Sequence, residues 1–303
     1  MDNSKYEFQN DMPEGVTVDS SDTELCNCSW IEILDENGSE TMGKPIGNYI
    51  TIETDILGCG RNNDLDEIAR TVSEYLVKIM GITVNDSVLV VGVGNRNITA
   101  DSLGVRVVDK VWATRHIADE AEDLLGKAIR MVSVISPCVM GVTGISTADT
   151  VKSICDAIKP SLVIVIDALA ARKTHRLYST IQISDTGLTP SGGLLGNTKQ
   201  RIDSEFIGLP VISIGVPMVV SAATIIADFM GYVMEEHGDD EEIDALMIEN
   251  ISQYANELFS SSSPFVATKE IDTVVHYSSY IISTAINMAL FQEDWEQIPY
   301  NTY

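Results

Sequence analysis

Apolar positions along the chain follow two rhythms. Short, nearly unbroken apolar runs occur at Ser87–Val93, Met131–Ile135, Leu162–Ile166, Thr180–Ile183 and Pro210–Ile214. Each has the length of a strand buried on both faces of a parallel sheet. Between several of them the spacing changes to that of a helix. Asp64–Met80 places Ile68, Val72, Tyr75, Leu76 and Ile79 along one stripe, and Ser102–Trp112, Thr147–Ile158 and Val219–Met234 read the same way. Strands alternating with helices predict an α/β domain, with a mainly parallel sheet flanked by helices. Earlier in the chain, Ser29–Leu34 and Tyr49–Glu53 read as strands, with a turn at Glu36-Asn37-Gly38. Later, Ile243–Phe259 and Thr268–Leu290 read as a C-terminal helical extension, split by a loop over Ser260–Pro264. The predicted organisation is an acidic, propeptide-like segment over 1–45 and an α/β core over 46–235. An acidic linker with C-terminal helices packing on the core follows over 236–303.

Charge narrows the set of partners. The 303 residues carry 19 Lys+Arg against 45 Asp+Glu, a net charge of −26, while 45% of residues are hydrophobic. That hydrophobic content suits a folded domain, and the charge argues against binding a phosphate backbone. No nucleic acid is expected as a partner. No membrane is expected either, because no stretch of spanning length reads as apolar throughout. The start, MDNSKYEFQND, lacks the basic and apolar regions of a secretory leader, so a cytoplasmic location is expected. Five scattered cysteines (Cys26, Cys28, Cys59, Cys138, Cys155) suit a reducing compartment. Cys26 and Cys28 form a CxC without a second ligand pair nearby. No metal or other cofactor is expected.

In an open α/β sheet, chemistry gathers at the carboxyl ends of the strands. Two predicted strand ends carry a carboxylate. After the first, Gly92 and Gly94 begin a turn through Asn95, Asn97 and Thr99 to Asp101. The third glycine of a dinucleotide fingerprint would fall at Asn97, so a nucleotide site is not indicated. After another, Asp167 follows the run ending at Ile166 and precedes a basic island at Arg172, Lys173 and Arg176. Taken singly, Asp101 suits a helix cap and Asp167 a turn facing water. Together they form a candidate pair, one ionised to activate water and one protonated to serve the leaving amine. The glycine-rich Ser136–Gly144, with Met140, Gly141, Thr143 and Gly144, follows a third strand. Asp185-Thr186-Gly187 matches the tripeptide of pepsin-like proteases, but occurs once and in an α/β setting. Asp185 therefore reads as a loop-shaping residue, with a third site carboxylate remaining open. There is no GxSxG elbow, and no histidine stands at a recognisable spacing from Cys138.

These segments resemble the germination proteases of endospore-forming bacteria. The resemblance is carried by Val90–Thr99, Ser136–Ile145, Val165–Arg172, Thr180–Gly187, Ile214–Pro217 and Thr268–Asp272, in the same order, within about Gly43 to Leu290. It implies an endopeptidase that starts the degradation of small acid-soluble spore proteins during germination. It further implies a fold like that of the hydrogenase-maturation peptidases, a homotetramer, an autoprocessed zymogen, and water attack without a required cofactor. The family's proposed catalytic aspartates match Asp101 and Asp167. Gly92, Gly94, Asn95, Asn97, Thr99, Met140, Gly141, Thr143, Gly144, Arg172 and Asp185 would bind substrate or shape the site. Three departures stand out. The first 45 residues lack the family's Arg-Thr-Asp-Leu-Ala-like processing sequence, Ala100 replaces the proline before the first aspartate, and Cys138 stands where a glycine is expected. A metal-dependent maturation-type peptidase and a non-enzymatic paralogue are the alternative readings.

Overall fold

The computed structural model describes residues 13–58, 60–83, 85–118, 129–190, 200–237, 254 and 264–291. One mixed, nine-stranded sheet organises them. Its strands are β1 (Val16–Asp22), β2 (Asn27–Ile33), β3 (Gly47–Glu53), β4 (Val88–Gly92), β5 (Val132–Ile135), β6 (Leu162–Ala171), β7 (Thr180–Ser184), β8 (Val211–Ser221) and β9 (Phe265–Val266). They lie in the order β1-β2-β3-β7-β8-β6-β4-β5, with β9 pairing β8. Four of the five apolar runs form the parallel half, β5-β4-β6-β8, whereas Thr180–Ile183, predicted to be parallel too, is β7 and pairs antiparallel with both β3 and β8. The strands from β1 to β7 form an antiparallel half that joins it at β8.

Side-chain alternation divides the core between the two faces of this sheet. Leu162, Ile164 and Ile166 of β6 face one cluster, with Ile212 and Ile214 of β8, Ile181 and Ile183 of β7, and Ile50 and Ile52 of β3. Helices α2 (Asn62–Met80), α3 (Leu103–Val108) and α8 (Ile271–Phe291) cover that face. Val163 and Val165 face the opposite cluster, under α5 (Thr147–Ile158) and α6 (Ser204–Ile207). The N-terminal hairpin packs Val16, Ile31 and Ile33 on Met42 of α1 (Glu36–Met42), whose N-cap Asp35 accepts from the Gly38 N–H. The turn predicted at 36–38 is therefore the first turn of a helix.

Helix α8 has the length and hydropathy of a membrane span, yet 72% of that window is buried inside the protein. Its polar positions are used for docking. Tyr280 donates to Asp66 of α2 at 2.6 Å, Ser279 accepts from Lys110 at 2.8 Å, and Asn287 holds the backbone of both Lys110 and Trp112. Buried Arg130 donates to the carbonyls of Leu290, Thr83 and Asp86, fastening the helix end to the sheet.

Several elements run further than the apolar pattern predicts. β6 continues through Asp167 to Ala171, because its backbone stays paired with β8 as far as Ala171↔Val220. β8 in turn extends to Ser221, so the helix predicted from Val219 begins at Ala222, as α7 (Ala222–His237). Pro217 is tolerated inside β8 where the register slips between Leu169 and Ala170. Helix α3 is shorter than the predicted Ser102–Trp112. The helix predicted over Ile243–Phe259 lies, apart from Tyr254, outside the described residues.

Candidate active site

The first carboxylate is built by a turn. At Gly94, φ is +124° and a side chain would collide with the Asp101 carbonyl. Without one, the Asn95 N–H reaches both the carbonyl of Asp101 and its carboxylate, each at 2.9 Å. Asn95 in turn accepts from the Asn97 N–H at 3.0 Å, and Thr99 accepts from Ser102 at 2.8 Å. Asp101 closes a 3₁₀ turn over Thr99–Asp101, and Ser102 takes the N-cap position of α3. The Asp101 carboxylate thus binds its own loop rather than capping a helix.

The second carboxylate sits inside a strand. β4 ends at Gly92, opposite Ile166 of β6, so Asp167 is the first β6 residue beyond that neighbour. It is fully buried, pairs in register with Gly215 of β8, and accepts from the Ala168 N–H at 2.8 Å. This replaces the strand-end, water-facing position predicted for it. Alternation points Asp167 to the same face as Val163 and Val165.

Gly104 joins the two. Its bare Cα lies against the carbonyl oxygens of Ile166 and Val93, where any Cβ would collide. Gly92 gives the Gly104 carbonyl similar room. The start of α3 therefore rests directly on the backbone that leads into Asp167, and the turn bearing Asp101 packs against β6 and β8.

The other candidates spread outward. Met140–Thr143 form the one-turn helix α4, which Gly144 ends at φ +72°. It follows β5, two strands from Asp167, and Gly141 has open space around it. Cys138, in the expected glycine position, has φ +63°. Asp185 accepts from the backbone and side chain of Asn48 at 2.8 and 2.7 Å, tying the turn after β7 to β3. Arg172 lines a cleft of about 470 Å³ on the Asp167 face, with Lys44, Arg176 and Arg201. Sequence reasoning missed Lys44 and Arg201, for which the scarcity of cations was the available signal. Cys26 and Cys28 are buried with their sulfurs 3.7 Å apart. The hydrogen bond from Cys28 lowers the Cys26 thiol to about 6, and the same bond, with burial, raises that of Cys28. Among the described residues no three His, Cys, Asp or Glu side chains gather as a metal site.

The model of the germination protease family matches residues 1–253. The chain belongs to the germination protease family. A germination protease of Caldanaerobacter subterraneus subsp. tengcongensis is 41% identical, over 91% of this chain and 88% of its own. One from Clostridium perfringens is 36% identical over 94% and 91%. One from Bacillus cereus is 40% identical over 74% of this chain and 62% of its own. A solved [NiFe] hydrogenase maturation protease, HycI from Thermococcus kodakarensis KOD1, shares 17% identity over 59% of this chain and 99% of its own, with a TM-score of 0.29. Membership of the germination proteases makes this chain a peptidase with a role in spore germination.

Proposed function

We propose that this germination protease is an endopeptidase that begins the breakdown of small acid-soluble spore proteins, using Asp101 and Asp167 on a single water. The observation that carries this reading is the Gly104 contact, which holds the Asp101 turn against the strand bearing Asp167. The ionised carboxylate takes a proton from water as its oxygen attacks the scissile carbonyl carbon. The protonated carboxyl hydrogen-bonds the carbonyl and then supplies the proton that lets the amine leave as the C–N bond breaks. Two carboxylates acting on one water favour this division, because the first charge raises the cost of the second. We further propose that the enzyme works in the spore cytoplasm as a homotetramer matured from a zymogen.

Incubation with a purified small acid-soluble spore protein tests the assignment. Asp101→Asn and Asp167→Asn should each lower kcat by about 10³-fold while the folded chain persists. Cleavage by both variants at the wild-type rate would remove the pair from the mechanism.

A further inference from the structure

Cys26 and Cys28 stand apart from the carboxylates. Strand β2 lies four strands from β6 in the sheet order, and Cys26 immediately precedes it. Residues two apart in an extended chain share a face, and both thiols enter the apolar cluster beneath α2. A buried cysteine ordinarily behaves as a small hydrophobe. Here the nearest groups are hydroxyls. That of Thr23 lies 3.3 Å from the Cys26 sulfur and accepts from the Cys26 N–H at 3.0 Å. Thr71 of α2 also hydrogen-bonds Cys26, while Ser21 and Tyr75 reach Cys28. Ser21 and Thr23 are exposed, so the pair sits directly under a solvent-facing turn.

The two sulfurs are 3.7 Å apart. A disulfide brings them to about 2.05 Å and accommodates Cα separations of about 4.4–6.8 Å. Two residues of extended chain span about 6.7 Å, within that range. Cys26 stands just outside the β1–β2 ladder, whose pairing ends at the turn with Asp22 and Asn27. Closure therefore needs rotation of the two side chains and a small inward shift of Cys26, with the ladder intact. The thiols are also unlike each other. The hydrogen bond from Cys28, then the Thr23 and Thr71 hydroxyls, hold Cys26 as a thiolate against the effect of burial, while Cys28 keeps its proton. A thiolate that attacks beside a thiol that resolves is the arrangement of a reversible redox centre.

We propose that Cys26 and Cys28 form a site of reversible oxidation, closed to a disulfide by a peroxide and reopened by a dithiol. The Cys26 sulfur attacks one peroxide oxygen, the O–O bond breaks, and the leaving hydroxide takes a proton from solvent to become water. Cys26 is then a sulfenic acid. The Cys28 sulfur attacks it, the S–S bond forms as the S–O bond breaks, and the Cys28 proton leaves with that oxygen as a second water. Both sulfurs are oxidised and one peroxide is reduced. A dithiol reverses the change by exchange, becoming a disulfide itself. In a reducing compartment such a bond is transient. The site is independent of the peptidase reaction.

Hydrogen peroxide added to the folded full-length chain at neutral pH, quenched by alkylation in urea and read by peptide mass, tests it. The peptide holding both residues should lose two hydrogens and resist alkylation, about tenfold faster than in the urea-unfolded chain. Dithiothreitol should restore both thiols. Cys155, buried and with its thiol raised to about 11, should still alkylate fully at that time. Cys28→Ser keeps a hydroxyl donor but no resolving sulfur, so a sulfenic acid should persist at Cys26 and be captured by dimedone. Closure no faster in the folded chain than in the unfolded one, or a pair that alkylates fully once Cys155 is oxidised, overturns the site. So does a dimedone adduct in the wild type in place of the disulfide, or its absence in folded Cys28→Ser.

Discussion

The two faces of the sheet are finished differently. One is closed from β3 to β4 by α2, α3 and α8 over a continuous apolar cluster. Among the described residues the other is closed over its parallel strands by α5 and α6, and a cleft runs over β3, β7 and the distal part of β8. Asp167 lies on this second face, where cover gives way to cleft. Stability is concentrated where burial is continuous, and binding is possible where it stops. Asp167 is fully buried at that boundary, paired in register with Gly215 of the cleft floor.

This contrast can be broken first on the closed face. Ile286 of α8 is fully buried, so Ile286→Ala should cost about 3–4 kcal/mol in urea unfolding, from lost burial and the cavity left behind. Gly104→Ala acts at the seam between the carboxylates and should cost about 1–3 kcal/mol through overpacking. Its proteolytic rate should fall more than its stability alone accounts for, and a rate unchanged in the folded variant would detach Gly104 from the site. On the loop after β5, Cys138→Gly should raise stability by about 0.5–1 kcal/mol, by relieving a left-handed backbone. On the open face, Gln182→Ala should change stability by no more than about 0.5 kcal/mol, while raising KM for spore-protein peptides. A stability loss as large as that of Ile286→Ala would show that the cleft floor is core.

A smaller effect is expected from the cysteine pair. Cys26 is lowered to about 6 from an ordinary 9.0. Between those values the folded chain holds a thiolate that the unfolded chain does not, so stability should rise with pH across that window. Above it the unfolded chain also ionises Cys28, whose folded pKa is raised, and stability should decline. Urea midpoints against pH measure this. Cys28→Ala removes the donor and should flatten the rise.

Much of this was legible before any coordinates. The apolar runs at 88–92 and 132–135 became strands, and the periodic stretches over 62–80 and 147–158 became helices with nearly the predicted bounds. The half-exposed strands have their own pattern, although Thr180–Ile183 reads above as a run buried on both faces. Tyr49-Ile50-Thr51-Ile52 and Thr180-Ile181-Gln182-Ile183-Ser184 alternate apolar with polar, the pattern of a strand with only one face in the core. The edge strand β1 was not legible, because its burial falls away along the strand and its partner strand supplies the order.

By itself, the amino-acid sequence determined the strand and helix segments, the acidic balance and the ordered motifs that place the chain among germination proteases. Those depend on local periodicity and residue identity. The tertiary structure alone decided that β6 and β8 run past their apolar runs, that Asp167 is buried within a strand, and that Lys44 and Arg172 share a cleft. A strand continues as long as a neighbour accepts its backbone hydrogen bonds, whatever side chains it carries. Burial and charge crowding depend on which residues distant in the chain are folded onto the same face.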